Sequence, residues 1–266
     1  MKLGLSSYSY GWAVQEGVLD VFGLLEKAKY FGLHLLQIGD NIPMDLLDSN
    51  VIDELAHHAN LNEIEIELGM RGFIAENILR YTRIACQMKA KILRIITDTD
   101  VYKPTQNEIL SVFYNVESEL EKSNIILAIE NHDRYLSWEL ANIVHQANSN
   151  QLAICLDMIN SIGAGEGTEV VLNNLGALAV NIHMKDYAIV RLPHKQGFTV
   201  EGRPAGNGML NITDVLGKIQ TFGRNPNVIV ELWTPPEDSI DKTLIKEELW
   251  VNQSVAFLKG AMLIQG

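Results

Sequence analysis

A chain of 266 residues, 47% of them hydrophobic, with a formal charge of −12 has ample material for one large core. It carries too little basic charge for a face that tracks nucleic-acid phosphates or anionic lipid. No apolar run approaches the roughly 20 residues of a membrane span, and two isolated cysteines on different predicted elements argue against a disulfide framework.

Cys86 and Cys155 read as small buried hydrophobes in a reducing compartment. The N-terminus, Met-Lys-Leu-Gly-Leu-Ser-Ser-Tyr, enters a strand pattern almost at once, so a cytoplasmic protein without a signal segment is expected. A mean hydropathy of +0.04 leaves room for an apolar interface in a homo-oligomer.

In chain order, the first predicted strand is Leu3–Ser7, followed by an aromatic loop carrying Tyr8, Tyr10 and Trp12. Asp20 suits a helix N-cap; that helix runs to Tyr30, with Gly32 as its stop. A second strand, Leu35–Ile38, leads to Asp40 and Asn41, and a helix over Ser49–Asn60 follows. The third strand, Glu63–Leu68, alternates acids with Ile or Leu and precedes Arg71 and a helix over Ala75–Lys89. Strand four is Ile92–Thr97. The next helix starts near Thr105, whose hydroxyl and Glu108 form a capping-box pattern. Strand five ends in Ile-Glu-Asn-His, helix five covers Trp138–Asn148, strand six ends at Asp157, and helix six covers Gly167–Leu178. Strand seven, Val180–Met184, opens a long loop over 186–209; a helix at Ile212–Phe222, strand eight at Val228–Leu232 and a helix over Ile240–Lys259 complete the chain.

Short apolar strands alternating with amphipathic helices indicate parallel βα units. Eight such units, without a linker and without a nucleotide fingerprint, predict one α/β domain over residues 1–266, a (β/α)8 TIM barrel. A doubly wound sheet is the alternative, but it would scatter the later strand ends across a switch point. Those ends matter, because four consecutive apolar runs finish in Glu130, Asp157, His183 and Glu231. In a closed barrel the four tips converge. Three carboxylates and one imidazole, with no thiolate, suit Mn²⁺, Mg²⁺ or Co²⁺ with positions left for substrate oxygens. Such an ion can grip a carbonyl and its neighbouring hydroxyl and stabilise an enediolate, while a carboxylate at the rim takes the proton. The competing reading is four unrelated strand-end groups, paired with Lys or Arg.

With these tips in place, the chain resembles the xylose-isomerase-like TIM barrels, the sugar phosphate isomerase/epimerase family. The matching stretches are Ile-Glu-Asn-His (129–132), Leu-Asp-Met-Ile-Asn (156–160), Ile-His-Met-Lys-Asp (182–186), Pro-Ala-Gly-Asn-Gly (204–208) and Val-Glu-Leu-Trp (230–233). The resemblance implies a divalent metal, often Mn²⁺, on Glu130, Asp157, His183 and Glu231. It also implies that Glu130 and Glu231 exchange protons with substrate in the epimerase branch. Ketose 3-epimerases carry a further Glu, His and Arg where this sequence has Leu136, Asn160 and Ile189. The metal set is kept and the sugar-gripping shell is not.

Lys185 stands two residues past His183, on the same strand face, where it could donate to a developing enolate or hold a substrate carboxylate. If Ile64, Ile66 and Leu68 face the helices, Glu65 and Glu67 face inward, and Glu67 reaches the barrel mouth near Arg71 and Arg94, as a substrate contact or an arginine's partner. His132 follows the metal glutamate and is a candidate substrate contact, as are Arg71 and Asn160. Trp12 and Trp233, from neighbouring loops, with Tyr8 and Tyr10, would wall a sugar's C–H face. The loop over 186–209, with His194, Lys195 and Arg203, would act as a lid.

The leading expectation is therefore a metal-dependent isomerase or epimerase of a small keto-sugar, with Glu130, Glu231 and Lys185 as catalytic groups. The alternative is a lyase, a decarboxylase or dehydratase of a sugar acid, on the same site. An abasic-site endonuclease fits poorly with a charge of −12, and a non-catalytic sugar-binding barrel would bind without turnover.

Overall fold

The computed structural model describes residues 1–265. Its strands are β1 (Leu3–Ser6), β2 (Leu35–Ile38), β3 (Glu65–Arg71), β4 (Ile92–Ile96), β5 (Ile126–Glu130), β6 (Leu152–Asp157), β7 (Ala179–Met184), β8 (Asp186–Arg191), β9 (Phe198–Arg203) and β10 (Asn227–Val230). The helices between them are α1 (Gly11–Gln15), α2 (Val21–Tyr30), α3 (Ser49–Leu61), α4 (Ala75–Gln87), α5 (Gln106–Ser123), α6 (Ser137–Ala147), α7 (Thr168–Leu175), α8 (Ile212–Thr221) and α9 (Ile240–Gln265). Parallel pairing runs β1 to β7 in sequence and closes through β10 onto β1, giving an eight-stranded barrel. β8 and β9 stand apart as an antiparallel ribbon.

Alternation within each strand builds two layers. Leu36, Leu68, Leu93, Leu127, Ile129, Leu156, Ile182 and Val230 turn outward and join Leu24, Leu55, Ile78, Phe113, Leu140, Val171, Leu216 and Leu258 of the helices in one apolar core. The opposite parity faces the axis. There branched apolar side chains such as Leu35, Ile92 and Ile229 share the axis with buried Gln37, Glu67, Arg94, Glu130, Asp157, Asn181 and His183. Local signals set the ends of the elements. Thr105 accepts the Glu108 N–H at 3.3 Å while the Glu108 carboxylate accepts the Thr105 N–H at 2.7 Å, and Asn124 and Asn148 stop α5 and α6 in the left-handed region at φ 51° and 47°.

Four expectations need correction. The aromatic loop after β1 is a 3₁₀ turn, Ser7–Tyr10, running into α1. Tyr10 is buried and donates its hydroxyl to Glu248 on α9, away from the mouth. Cys86 is exposed on α4; only Cys155 is buried. The segment after β7 is the β8–β9 ribbon, pinned at its root by Asp186, whose carboxylate accepts the N–H groups of Tyr187, Gly206, Gly208 and Leu210 at 2.8–3.0 Å. Gly208 is required there, since a Cβ would lie 2.0 Å from Asp186 Oδ1. The ribbon rests on Trp233, its Gly202 so close that a Cβ would stand 2.3 Å from the Trp233 carbonyl oxygen.

Candidate metal centre

Each of β5, β6, β7 and the end of β10 carries one donor to the mouth. Glu130, Asp157, His183 and Glu231 are all buried, and one ligand atom from each lies within 4.8 Å of the rest. His183 Nδ1 sits 3.6 Å from Glu130, 3.7 Å from Asp157 Oδ2 and 3.3 Å from Glu231 Oε2. His183 Nδ1 and Asp157 Oδ2 are buried without a hydrogen bond, and Asp157 Oδ2 meets only the Lys185 ammonium at 2.9 Å. An unsatisfied buried polar atom costs about 1–3 kcal/mol. One cation in the gap satisfies both atoms, so the donor set fits a divalent ion.

Every donor is held from behind. Glu130 is gripped by the Arg94 guanidinium through one oxygen and by Asn160 Nδ2 at 2.7 Å through the other. Asp157 Oδ1 accepts the N–H groups of Ile159 and Asn160 at 2.8 and 2.7 Å, which leaves Oδ2 for the gap. Glu231 Oε2 accepts the Ser6 hydroxyl at 2.8 Å. His183 Nε2 meets Gln37 Oε1 at 2.7 Å. Lys185 Nζ caps the open side, 2.9 Å from Asp157 Oδ2, 2.7 Å from Glu231 Oε1 and 3.4 Å from Asn160 Oδ1.

Burial works against charge on Glu130, Asp157, His183 and Lys185, and the mutual fields overturn it. For Glu130, burial would raise the pKa; Arg94, with His183 and Lys185, holds it well below the usual carboxylate range. Asp157 is likewise lowered, by Lys185 and His183 against burial. Burial opposes a charge on Lys185, yet Asp157, Glu231 and Glu130 keep its pKa above the ordinary lysine value, so it is an ammonium. Burial also opposes a charge on His183, whose pKa is nonetheless drawn well above its usual value by Cys155, Glu231 and Glu130. The Cys155 thiol is itself pushed by burial up to about 11. It is therefore neutral near pH 7, and the carboxylates carry the pull. Three carboxylates against Arg94 and Lys185 leave one negative charge, which a protonated His183 balances while its Nδ1 holds no ion and which returns once the imidazole is neutral. A divalent ion reverses it to one positive charge.

The remaining expected contacts divide among three places. Arg71 and His132 line a polar cleft of about 270 Å³ beside Glu130, with Arg71 Nε 2.9 Å from Asp40 Oδ2. Trp12 and Trp233, with Tyr8, line a larger cleft of about 780 Å³, and the Trp12 indole N–H donates to the Thr234 carbonyl at 2.8 Å. Glu67 is in neither cleft. β3 runs on to Arg71, so Glu67 lies at mid-strand, buried on the axis, accepting from Gln37, Asn181 and Asn227 rather than from an arginine. Residues whose role went unread are Ser6, Gln37, Asn181 and Asn227. Their signal was a polar side chain at an inward position of an otherwise apolar strand, as in Leu-Leu-Gln-Ile (35–38).

Known proteins share this barrel. Residues 55–261 match the family model described as xylose isomerase-like TIM barrel. The chain is 31% identical over 261 residues to 3-oxo-isoapionate decarboxylase of Pectobacterium atrosepticum, covering 97% of this chain and 95% of that protein. Among solved structures it is similar to D-psicose 3-epimerase of Clostridium cellulolyticum H10 with D-tagatose (TM-score 0.76, 14% identity, covering 100% and 99% of the two chains). It is also similar to a xylose isomerase-like TIM barrel protein of Mycobacterium smegmatis in complex with magnesium (TM-score 0.64, 12% identity, 88% and 87%). The closed barrel, the donors converging at its mouth and a family match over most of the sequence lead to one assignment: the chain belongs to the xylose isomerase-like TIM barrel family.

Proposed function

We propose that this protein is a divalent-metal-dependent lyase that decarboxylates a 3-oxo sugar acid through an enolate. The observation that carries the reading is the pairing of both candidate base glutamates with cations: Glu130 with Arg94, and Glu231 with Lys185 at 2.7 Å. Epimerisation needs two carboxylates free to take and return a C–H proton. Decarboxylation needs no such base. It needs an electron sink and positive charge near the reacting atoms, both of which this centre is built to provide. Similarity to a 3-oxo-isoapionate decarboxylase over nearly the whole chain supports the same choice.

A divalent ion on Glu130, Asp157, His183 and Glu231 would supply Lewis acidity to the substrate's ketone oxygen, and we favour Mn²⁺, with Mg²⁺ or Co²⁺ as substitutes. The chain's own groups do the rest. Lys185, the ammonium at the open side of the centre, holds the substrate near the scissile bond, then donates a proton and recovers one from solvent. As the bond between the carboxylate carbon and its neighbour breaks, the electron pair passes to the ketone oxygen and CO₂ leaves. Lys185 then protonates the enolate carbon, directly or through water. Asn160 steadies both Glu130 and Lys185. Arg71 and His132 on one side, and Trp12 and Trp233 on the other, bind the hydroxyls and C–H face of the sugar chain.

An epimerase or isomerase on the same centre is the second reading, favoured by the likeness to D-psicose 3-epimerase. The deciding assay incubates Mn²⁺-loaded protein separately with a 3-oxo sugar acid and with a ketose. Release of CO₂ from the acid, abolished by chelation and restored by Mn²⁺, is the expected outcome. Mass-neutral interconversion of the ketose without CO₂ release would replace the lyase by the epimerase.

A further inference from the structure

Glu67 is a carboxylate buried on the barrel axis with no lysine or arginine paired to it among the described residues. Its neighbours are three side-chain amides: Gln37 Nε2 at 2.9 Å and Asn181 Nδ2 at 2.7 Å on Oε2, and Asn227 Nδ2 at 2.7 Å on Oε1. Burial raises the pKa of Glu67 against the pull of its three amide donors, so a carboxyl in such a place is expensive, and a barrel axis is ordinarily filled with branched apolar side chains at no such cost. Stability alone does not account for it. The group also lies outside both clefts at the mouth, so it does not touch a substrate there.

The direction of the hydrogen bonds gives it a task. Both Glu67 oxygens accept amide N–H groups, two on Oε2 and one on Oε1, so the carboxyl faces Gln37 as an acceptor and Gln37 turns its NH₂ toward it. The Gln37 carbonyl oxygen is then forced to the other side, where it stands 2.7 Å from His183 Nε2. An oxygen at that point requires a proton on Nε2. The other polar neighbour of that nitrogen is Cys155 Sγ at 3.3 Å, so the neutral ring must be the Nε2–H tautomer. Its lone pair is therefore on Nδ1, the atom that faces Glu130, Asp157 and Glu231. Reversing the Gln37 amide would set its oxygen against the Glu67 carboxylate.

We infer that Glu67, acting through Gln37, is a positioning residue that fixes the tautomer and orientation of His183 and so sets the affinity of the centre for its metal. Asn181 and Asn227 hold Glu67 from the far side. The inference rests on the metal reading of the previous subsection and goes beyond it by assigning a role to a buried column that contacts neither ion nor substrate. Partners that orient a ligating histidine typically contribute 10–100-fold to metal affinity.

Calorimetric titration with Mn²⁺, in parent protein, E67Q and the exchange Q37E/E67Q, tests this. In E67Q the acceptor-only group is gone, Gln37 is free to turn, and affinity falls about 10–100-fold. In the exchange the carboxylate now on β2 accepts the His183 Nε2–H directly, and the amide now on β3 donates to that carboxylate. Affinity then returns to within about threefold of the parent, well inside the loss expected for a missing orienting partner. A nitrogen–proton correlation spectrum of the Mg²⁺-loaded proteins supplies a second readout. A slowly exchanging His183 Nε2–H signal is present in the parent and the exchange and lost in E67Q. Should E67Q fail to fold, Gln37→Met severs the same link and shows the same loss of affinity. Parent-like Mn²⁺ affinity in the single variants, or no recovery in the exchange, overturns the inference alone. Absence of Mn²⁺ binding by the parent overturns the metal reading and the inference with it.

Discussion

Replacing Arg94 with Met tests how the centre balances charge. Arg94 is buried on β4 and bridges Glu130 to Asp40, at 2.5 Å on the latter. Without it the two acids fare differently. Asp40 keeps Arg71 at 2.9 Å and the Tyr8 hydroxyl at 3.0 Å. Glu130 keeps the Asn160 amide at 2.7 Å and is otherwise a buried anion short of its main counter-charge. Stranding one partner of a buried ion pair costs about 3–5 kcal/mol, which for a domain of this size lowers Tm by roughly 6–20 °C. The sign of the pH dependence follows from Glu130. Burial would raise its pKa, but Arg94, His183 and Lys185 hold it well below 4.5. The stability it contributes is thus present above about pH 4.5 and lost as pH falls through the folded value. The gap between parent and R94M is widest near neutral pH and closes in acid. Mn²⁺ restores the missing charge. At a hundredfold excess over Kd any ligand adds about 2.7 kcal/mol, and with a competing cation removed the variant gains more than the parent. Thermal melts from about pH 4 to 8, with and without Mn²⁺, measure all of this. A Tm change below about 2 °C, less than 1 kcal/mol is expected to give, or an equal gain from Mn²⁺ in both proteins, would refute the reasoning.

Three further outcomes follow from the same structure. Lys185→Met removes an ammonium that touches Asp157 and Glu231; CO₂ release slows by about 10²–10⁴-fold, while calorimetry finds Mn²⁺ bound at least as tightly, and unchanged turnover would remove Lys185 from the chemistry. Glu247 ties α9 to the Trp12 wall by accepting the Trp12 and Ala13 N–H groups at 2.9 and 3.1 Å. Burial outweighs these two donors and, with Glu248, pushes its carboxyl from 4.5 to about 7. The folded state then binds the extra proton, so stability declines as pH rises from 4.5 to about 7, and E247Q flattens that slope in pH-dependent melts; a slope identical to the parent's would count against it. Gly208→Ala drives a methyl against Asp186 Oδ1, 2.0 Å away. It costs about 1–3 kcal/mol and opens residues 186–209 to proteolysis, so a protease-resistant variant with parental Tm would contradict the role given to Asp186.

The barrel was legible because its local rules agree. Runs such as Ile-Ile-Leu-Ala-Ile are too short for helices, the Thr105–Glu108 cap and the stops at Asn124 and Asn148 bound their helices, and alternation leaves parallel units as the consistent solution. The convergence of Glu130, Asp157, His183 and Glu231 could be foreseen for the same reason: neighbouring parallel strands end on one rim. What lay beyond sequence was depth along the axis. Glu67 looked like a mouth residue because its strand pattern seemed to stop at Leu68, and only the continuation of β3 to Arg71 moved it to mid-barrel. Likewise, sequence set Lys185 two residues past His183 without pairing it with any one of the strand-end acids. The choice of Asp157 and Glu231, with Arg94 given to Glu130 and Asp40, came from strand register. Periodicity reports which face of a strand a side chain takes. How far along the axis it sits, and which distant strand places a partner opposite it, depend on the stagger of the closed sheet, which is set by all eight strands together.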